Sequence, residues 1–238
     1  RIALTLAALN DLEVKTADIE NAYLTAPIGE KIWCTLGPEF GGDAGKRAII
    51  VRALYGLKSA GASFRNHLAD CMRHLGWESC KADQDVWLKP EVRKDDGYQY
   101  YAYCLLYVDD ILMIHHAGEK ALREIDHFFK TKPNSIGDPE FYLGSKLRPM
   151  RLPNGVKAWG MSSSKYIQAS VAIVKAYHSR MYPSRKWAKR TTGPFPCDYS
   201  PELDTTDLLD HEKSTFYQSQ IGVLRWIVEL GRIDIITE

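Results

Sequence analysis

The stretch Tyr98–Ile114 (YQYYAYCLLYVDDILMI) is almost entirely aromatic and aliphatic, yet two adjacent aspartates, Asp109 and Asp110, interrupt it. The flanking residues favour burial and the two carboxylates favour water. A strand, a tight two-residue connection and a second strand satisfy both demands, because that geometry puts both carboxylates at a hairpin tip. Two readings of the pair stay open at this level. Asp tolerates turn conformations, so Asp-Asp can be turn chemistry alone. Otherwise the carboxylates are held at the tip for a chemical task.

Around this hairpin (Tyr98–Val108 and Ile111–His115) further strands are expected at Val14–Asp18, Lys31–Leu36, Ala48–Arg52, Val86–Lys89 and Phe141–Arg148. Helical spacing links Phe64, Leu68, Met72 and Leu75, with Gly76 as the C-cap. It also links Leu122, Ile125 and Phe129; Ile167, Val171, Val174 and Tyr177, with Ser164 as N-cap; and Phe216, Ile221, Leu224 and Val228. Residues 3–12 are expected to be helical, Gly41–Gly45 to be a hairpin loop and Asp198–Glu212, with its six acids, a loose loop. Strands and helices mix without strict alternation, which predicts an α+β fold rather than a doubly wound parallel sheet. With 238 residues, 45% hydrophobic and 26% charged, the chain can bury a core unaided, and disorder, collagen and a disulfide scaffold are excluded. Its apolar stretches fall far short of the ~20 residues of a membrane span, so no membrane partner is expected. The five cysteines form no Cys-x-x-Cys pair, which fits a reducing compartment and argues against zinc. The chain starts at Arg1 and stops inside an apolar pattern, so it is expected to be a piece of a longer polypeptide.

Asp18 ends the predicted strand Val14–Asp18. It suits the N-cap of a helix over Ile19–Leu24, or it joins Asp109 and Asp110 if the fold brings them together. Clustered carboxylates repel one another and are stable together mainly around a divalent cation, and hard oxygen donors favour Mg²⁺ or Mn²⁺ over zinc. Two such ions about 4 Å apart clamp an in-line phosphoryl transfer. A gap of well over a nanometre between Asp18 and the tip excludes a bridging cation.

The net charge of +1 conceals an asymmetry. No acid lies between Glu140 and Asp198, while 11 of the 31 Lys and Arg residues do, leaving 20 bases against 30 acids elsewhere. Aromatics (Tyr142, Trp159, Tyr166, Tyr177, Tyr182 and Trp187) alternate with these bases. Such a tract suits a polyanion with sugars and bases as well as phosphates; it also suits a solvated basic face, or a nuclear-import signal at Arg185–Arg190. Gly41–Lys46 is one residue short of a P-loop, and Arg47 stands where Ser or Thr should be. His115 and His116, as neighbours on a strand, should point to opposite faces and make a poor metal pair.

Six segments in order carry a resemblance. Tyr107-Val108-Asp109-Asp110 resembles the catalytic motif of reverse transcriptases, and Ala53–Lys58 (ALYGLK) is very similar to the same segment of copia-type retrotransposon polymerases. Asp18–Leu24 (DIENAYL) resembles their DVKTAFL, Phe141–Gly144 their FLG, and Lys165-Tyr166-Ile167 their KYI. Tyr217–Gly222 with Arg232–Ile235 resembles their later Y-x-x-x-x-G…RPDI stretch. The sequence departs from the family at Ser59–Phe64, where members read QAPRAW, and at Ile233, where they have Pro.

The resemblance implies an RNA-directed DNA polymerase. Residues 1–150 would form partial fingers and a palm, a four-stranded antiparallel sheet backed by helices. Residues 151–238 would form a thumb-like region ending before ribonuclease H. It implies two Mg²⁺ ions, with Mn²⁺ as the substitute, held by Asp18 and Asp109, with Asp110 supporting the site and the Ile19 carbonyl as a further ligand. Tyr23 would be the steric gate against ribose, although a core aromatic on a helix fits equally. Tyr55, Gly56 and Lys58 would border the incoming nucleotide, with Lys58 equally readable as a solvated lysine. Leu143 and Gly144 would form the primer grip, and Lys146, Arg148, Lys165, Arg185 and Lys186 would follow the duplex backbone. The implied partners are an RNA template, a DNA primer, their hybrid, dNTPs and the rest of a Pol polyprotein, including integrase and ribonuclease H. The implied place is the cytoplasm, in an intracellular virus-like particle, with the nucleus as alternative. The competing function is a catalytically inactive nucleic-acid-binding remnant of a decayed element.

Overall fold

In the computed structural model, which describes residues 1–186 and 200–236, the chain opens with helix α1 (Ile2–Leu9), whose Leu4 and Ala7 are buried. The helix expected over 3–12 stops earlier because Asp11, at φ +50°, turns the chain into strand β1 (Glu13–Asp18). A short helix α2 (Ala22–Thr25) follows. Strands β2 (Pro27–Thr35) and β3 (Arg47–Arg52) then pair antiparallel as a two-stranded sheet. The glycine-rich stretch connects them through a tight helical segment at Pro38–Asp43.

Helix α3 (Ala60–His74) buries Ala60, Phe64, Leu68, Cys71 and Met72 at helical spacing. Gly76, just past its end, takes φ +82°, the left-handed conformation that terminates helices without a Cβ clash. Strands β4 (Glu78–Ser79), β5 (Val86–Val92), β6 (Gln99–Tyr107) and β7 (Asp110–His115) come next. With β1 they make one antiparallel sheet of order β1-β7-β6-β5-β4. The sheet has five strands rather than the four expected, because Glu78 and Ser79 pair with Leu88 and Trp87 and extend the edge. Ile111–Ile114 of β7 are all buried. A strand covered on both faces reads as a continuous apolar run instead of an alternation, which accounts for the sequence around the two aspartates. Helix α4 (Gly118–Asp126) packs on β1 and β7 through Ala121, Leu122 and Ile125. Phe64 and Phe129 meet edge-to-face at 6.1 Å.

Strands β8 (Phe141–Tyr142), β9 (Ser145–Arg151) and β10 (Lys157–Ser162) form a three-stranded sheet of order β10-β9-β8. The single strand expected over Phe141–Arg148 is broken because Leu143 (φ +51°) and Gly144 (φ +82°) make a two-residue turn with both centres left-handed. Helices α5 (Ser164–Met181) and α6 (His211–Glu229) complete the chain; Ser163, not Ser164, precedes α5, and Asp210 caps α6 by accepting from the Lys213 N–H at 2.8 Å.

The chain divides into two units, Arg1–Tyr142 with Arg148–Trp159, and Leu143–Leu147 with Gly160–Glu238. In the second, Tyr177 stacks on Phe216 at 3.6 Å and Arg180 pairs with Glu212 at 2.6 Å, joining α5 to α6. Among the described residues no helix is long and apolar enough to cross a membrane. Trp187, Lys189, Arg190, Cys197 and Asp198 lie outside the described residues.

Candidate active site

The β6–β7 hairpin turns at Val108 and Asp109, closed by the pair Tyr107–Asp110. Val108 sits at φ +55°. A left-handed backbone costs an L-residue about 1–2 kcal/mol, and glycine normally supplies it in tight hairpins. A β-branched residue there is stored strain of the kind that concentrates at functional positions. The Asp109 carbonyl accepts a hydrogen bond from the Ile19 N–H at 2.9 Å, which ties the tip to the end of β1. In the β1–β7 register Asp18 faces Asp110 directly. Facing residues of an antiparallel pair lie about 4.5–5.5 Å apart at Cα. Asp18 is therefore a close neighbour of the tip, well inside a nanometre. It does not cap a helix over Ile19–Leu24, because Asn21 takes φ +51° and the only helix there is α2.

The electrostatics follow from that crowding. Burial, then repulsion from Asp109 and Asp18, holds the half-buried Asp110 carboxyl above the ordinary carboxylate range, and Lys132 partly offsets this. Asp18 Oδ2 accepts from Lys132 Nζ at 2.7 Å, and Asp18 Oδ1 is buried without a hydrogen-bond partner. The Lys132 ammonium is in turn held above its usual pKa, first by the bond to Asp18. The chain carrying Lys132 also binds the Asp18 backbone: the Lys132 N–H donates to the Asp18 carbonyl at 2.8 Å, and the Asp18 N–H donates to Ser135 Oγ at 3.2 Å. Among the described residues no group of three or more His, Cys, Asp or Glu is already closed around a metal position. The donors at hand are nevertheless all carboxylate oxygens, one of them orphaned, and such a set fits Mg²⁺ or Mn²⁺.

Of the residues expected at the nucleotide, two come together. The rings of Tyr23 and Tyr55 are 4.7 Å apart, and Tyr23 lies 5.9 Å from Phe64. Gly56 takes φ +95°, which only glycine adopts without strain, and Lys58 is exposed. Tyr23, Phe64, Arg65, Trp87, Tyr107 and Val108 contribute to the lining of a cavity of about 600 Å³ beside the tip. Ile19 is fully buried.

The remaining candidates are distributed differently. Leu143 and Gly144 form the β8–β9 turn, and Lys146 and Arg148 are exposed on β9 in alternation with buried Ser145 and Leu147. Lys165 lies in the first turn of α5, and Arg185 and Lys186 are exposed beyond its end. Only Arg148 of these belongs to the unit that carries the aspartates. His115 and His116 do not point apart: their rings stack at 4.7 Å, because His116 lies past the end of β7, where alternation no longer applies. Tyr100 binds the His116 ring nitrogen. Sequence reasoning missed Lys132 and Ser135, which sit in an aperiodic K-T-K-P-N-S stretch with no signal of their destination. It also missed Tyr142 as a neighbour of the site. Burial, then the charges of Cys104 and Asp110, pushes the Tyr142 phenol up.

Residues 1–170 match the family described as Reverse transcriptase (RNA-dependent DNA polymerase). The chain is also similar to the Retrovirus-related Pol polyprotein from transposon TNT 1-94 of Nicotiana tabacum, with 29% identity over 176 residues. That alignment covers 71% of this chain, and the chain spans 12% of the relative's length.

Proposed function

This chain belongs to the reverse transcriptase family, and from that premise we propose that it is the RNA-directed DNA polymerase domain of a copia-type retrotransposon Pol polyprotein. The observation that carries this reading is the β1–β7 register, which sets Asp18 opposite Asp110, together with the Ile19–Asp109 backbone bond at 2.9 Å. In this reading the five-stranded sheet is the palm, the β2–β3 hairpin belongs to the fingers and α5–α6 is thumb-like.

Asp18 and Asp109, supported by Asp110, would hold two divalent cations, which would supply charge neutralisation at the primer 3′-hydroxyl and the triphosphate. The protein contributes position. Phosphoryl transfer asks little covalent chemistry of its catalyst, so rigid placement of charge and reactants accounts for most of the rate. The strained turn at Val108 aims the Asp109 carboxylate from the tip, and the Ile19 N–H pins that tip to β1. Tyr23, braced by Tyr55 and Phe64, blocks a ribose 2′-hydroxyl. Gly56 lets the backbone approach the nucleotide, with Lys58 on phosphate or template. Leu143 and Gly144 press the primer end, and Lys146, Arg148, Lys165, Arg185 and Lys186 follow the RNA–DNA hybrid through its phosphates. The substrates are dNTPs, a DNA primer and an RNA template, and the neighbours in the polyprotein are ribonuclease H and integrase.

Primer extension on an RNA template with Mg²⁺ or Mn²⁺ tests the proposal, on the chain extended at both ends. Extension that Asp109→Asn abolishes supports the enzyme. Nucleic-acid binding with no extension under any metal identifies an inactive remnant instead.

A further inference from the structure

β1 is the edge strand of the five-stranded sheet, and residues 130–138 run along its outer side. Thr16 and Gly137 exchange backbone hydrogen bonds at 2.9 and 3.1 Å, the Glu20 N–H donates to the Lys130 carbonyl at 2.8 Å, and Ile19 bridges to Thr131. Both ends of this strap are anchored. The Thr131 hydroxyl and N–H donate to Asp126 at 2.6 and 2.8 Å, and Asp138 pairs with Lys15 at 2.7 Å. Between the anchors the strap delivers two side chains to Asp18: Ser135, whose Oγ accepts from the Asp18 N–H at 3.2 Å, and Lys132, whose ammonium alone meets the carboxylate, on Oδ2 at 2.7 Å. The ion pair is not sealed, with the Lys132 and Asp18 side chains 49% and 31% exposed.

Building on the proposed metal-holding role of the aspartates, we infer that Lys132 is an internal counter-ion that competes with a divalent cation for Asp18, so that the 130–138 strap sets how readily the site loads. An ammonium within hydrogen-bond distance of a ligating oxygen neutralises the charge that attracts the cation and repels the cation itself. Ligation through Oδ2 therefore requires the Asp18 carboxylate to exchange Lys132 for metal, and ligation through the unpartnered Oδ1 still sets the cation against the ammonium. The strap keeps Lys132 close afterwards, because its backbone bonds to β1 do not involve the ammonium.

Mn²⁺ binding to the whole chain, followed by electron paramagnetic resonance at neutral pH, reads this directly. A partly exposed ion pair sets the scale, so Lys132→Met should bind Mn²⁺ about fivefold more tightly than the parent chain, while Lys132→Arg, which keeps the pair, stays near the parent. A second readout needs no variant: saturating Mn²⁺ should speed acetylation of Lys132 by an amine-reactive probe relative to the exposed Lys94. Unchanged or weaker binding in a folded Lys132→Met, or a footprint at Lys132 that Mn²⁺ leaves unaltered, overturns the inference. Asp18→Asn and Asp109→Asn separate the two levels. If both keep parental Mn²⁺ affinity, the metal reading of the aspartates falls and the counter-ion role with it. If both lose binding while Lys132→Met is unchanged, only the counter-ion role falls.

Discussion

Replacing Asp110 with Asn should stabilise the fold while impairing the site. Asp110 faces Asp18 across the β1–β7 pair and adjoins Asp109, so three carboxylates share one corner. Directly opposed side chains have Cβ atoms about 5 Å apart. For charge centres about 6 Å apart, Coulomb repulsion is about 0.7 kcal/mol at the dielectric constant of water and about 2.8 kcal/mol at an effective constant of 20. Solvent reaches both side chains and Lys132 lies close, which selects the lower part of that range, about 1 kcal/mol. Asn keeps the shape and removes the charge. A gain of that size corresponds to a melting temperature higher by roughly 2–4 °C for a chain of this length. The pH dependence carries a second check. The Asp110 pKa is raised, by burial first and by its acidic neighbours next. A raised carboxyl pKa means the folded state holds its proton more tightly than the unfolded chain. The associated stability is present at low pH and is lost as pH rises through the folded value. The advantage of Asp110→Asn should thus be complete at pH 7 and close as pH falls toward about 3.9, the unfolded carboxyl value. Thermal melts in chelator-treated buffer from pH 4 to 8 measure both effects. A variant with a native far-ultraviolet spectrum that melts at or below the parent at pH 7 refutes the claim that these charges strain the fold.

Three further perturbations probe the site and the packing of the fold. Tyr23→Ala, assayed by primer extension with dNTPs and NTPs, should reduce sugar discrimination by roughly 10- to 100-fold; equal discrimination in variant and parent removes Tyr23 from the gate. Val108→Gly should raise stability by about 0.5–1 kcal/mol in urea titrations, the relief of left-handed strain less the entropy of glycine, and a destabilised variant would show that the turn is not strained. Alkylation at pH 8 should modify the exposed Cys34 and spare Cys71, whose thiol burial pushes up to about 11, and the fully buried Cys104, whose thiol burial also pushes up; mass spectrometry showing Cys104 labelled without denaturant contradicts the packing of β6.

The hairpin, the helices at Phe64–Leu75 and Leu122–Ile125, and the antiparallel α+β character were legible because each depends on a short window: apolar spacing, a helix-ending glycine, an aspartate pair that only a turn could hold. The motifs named the aspartates for the same reason. The break at Leu143-Gly144 was missed because Leu, unlike Gly, gives no sign of a positive φ. The stacked His115–His116 pair was missed because strand alternation was extended one residue past the strand.

By itself, then, the order of residues determined most of the strands and helices and singled out three acids as the candidate site. Tertiary structure alone decided that Asp18 faces Asp110, that a fifth strand extends the sheet and that Lys132, 114 positions from Asp18, is its partner. The physical reason is register. Local preferences act over a few residues, whereas a cross-strand neighbour is chosen by the alignment of whole strands. A slip of one residue would have turned Asp18 to the other face of the sheet.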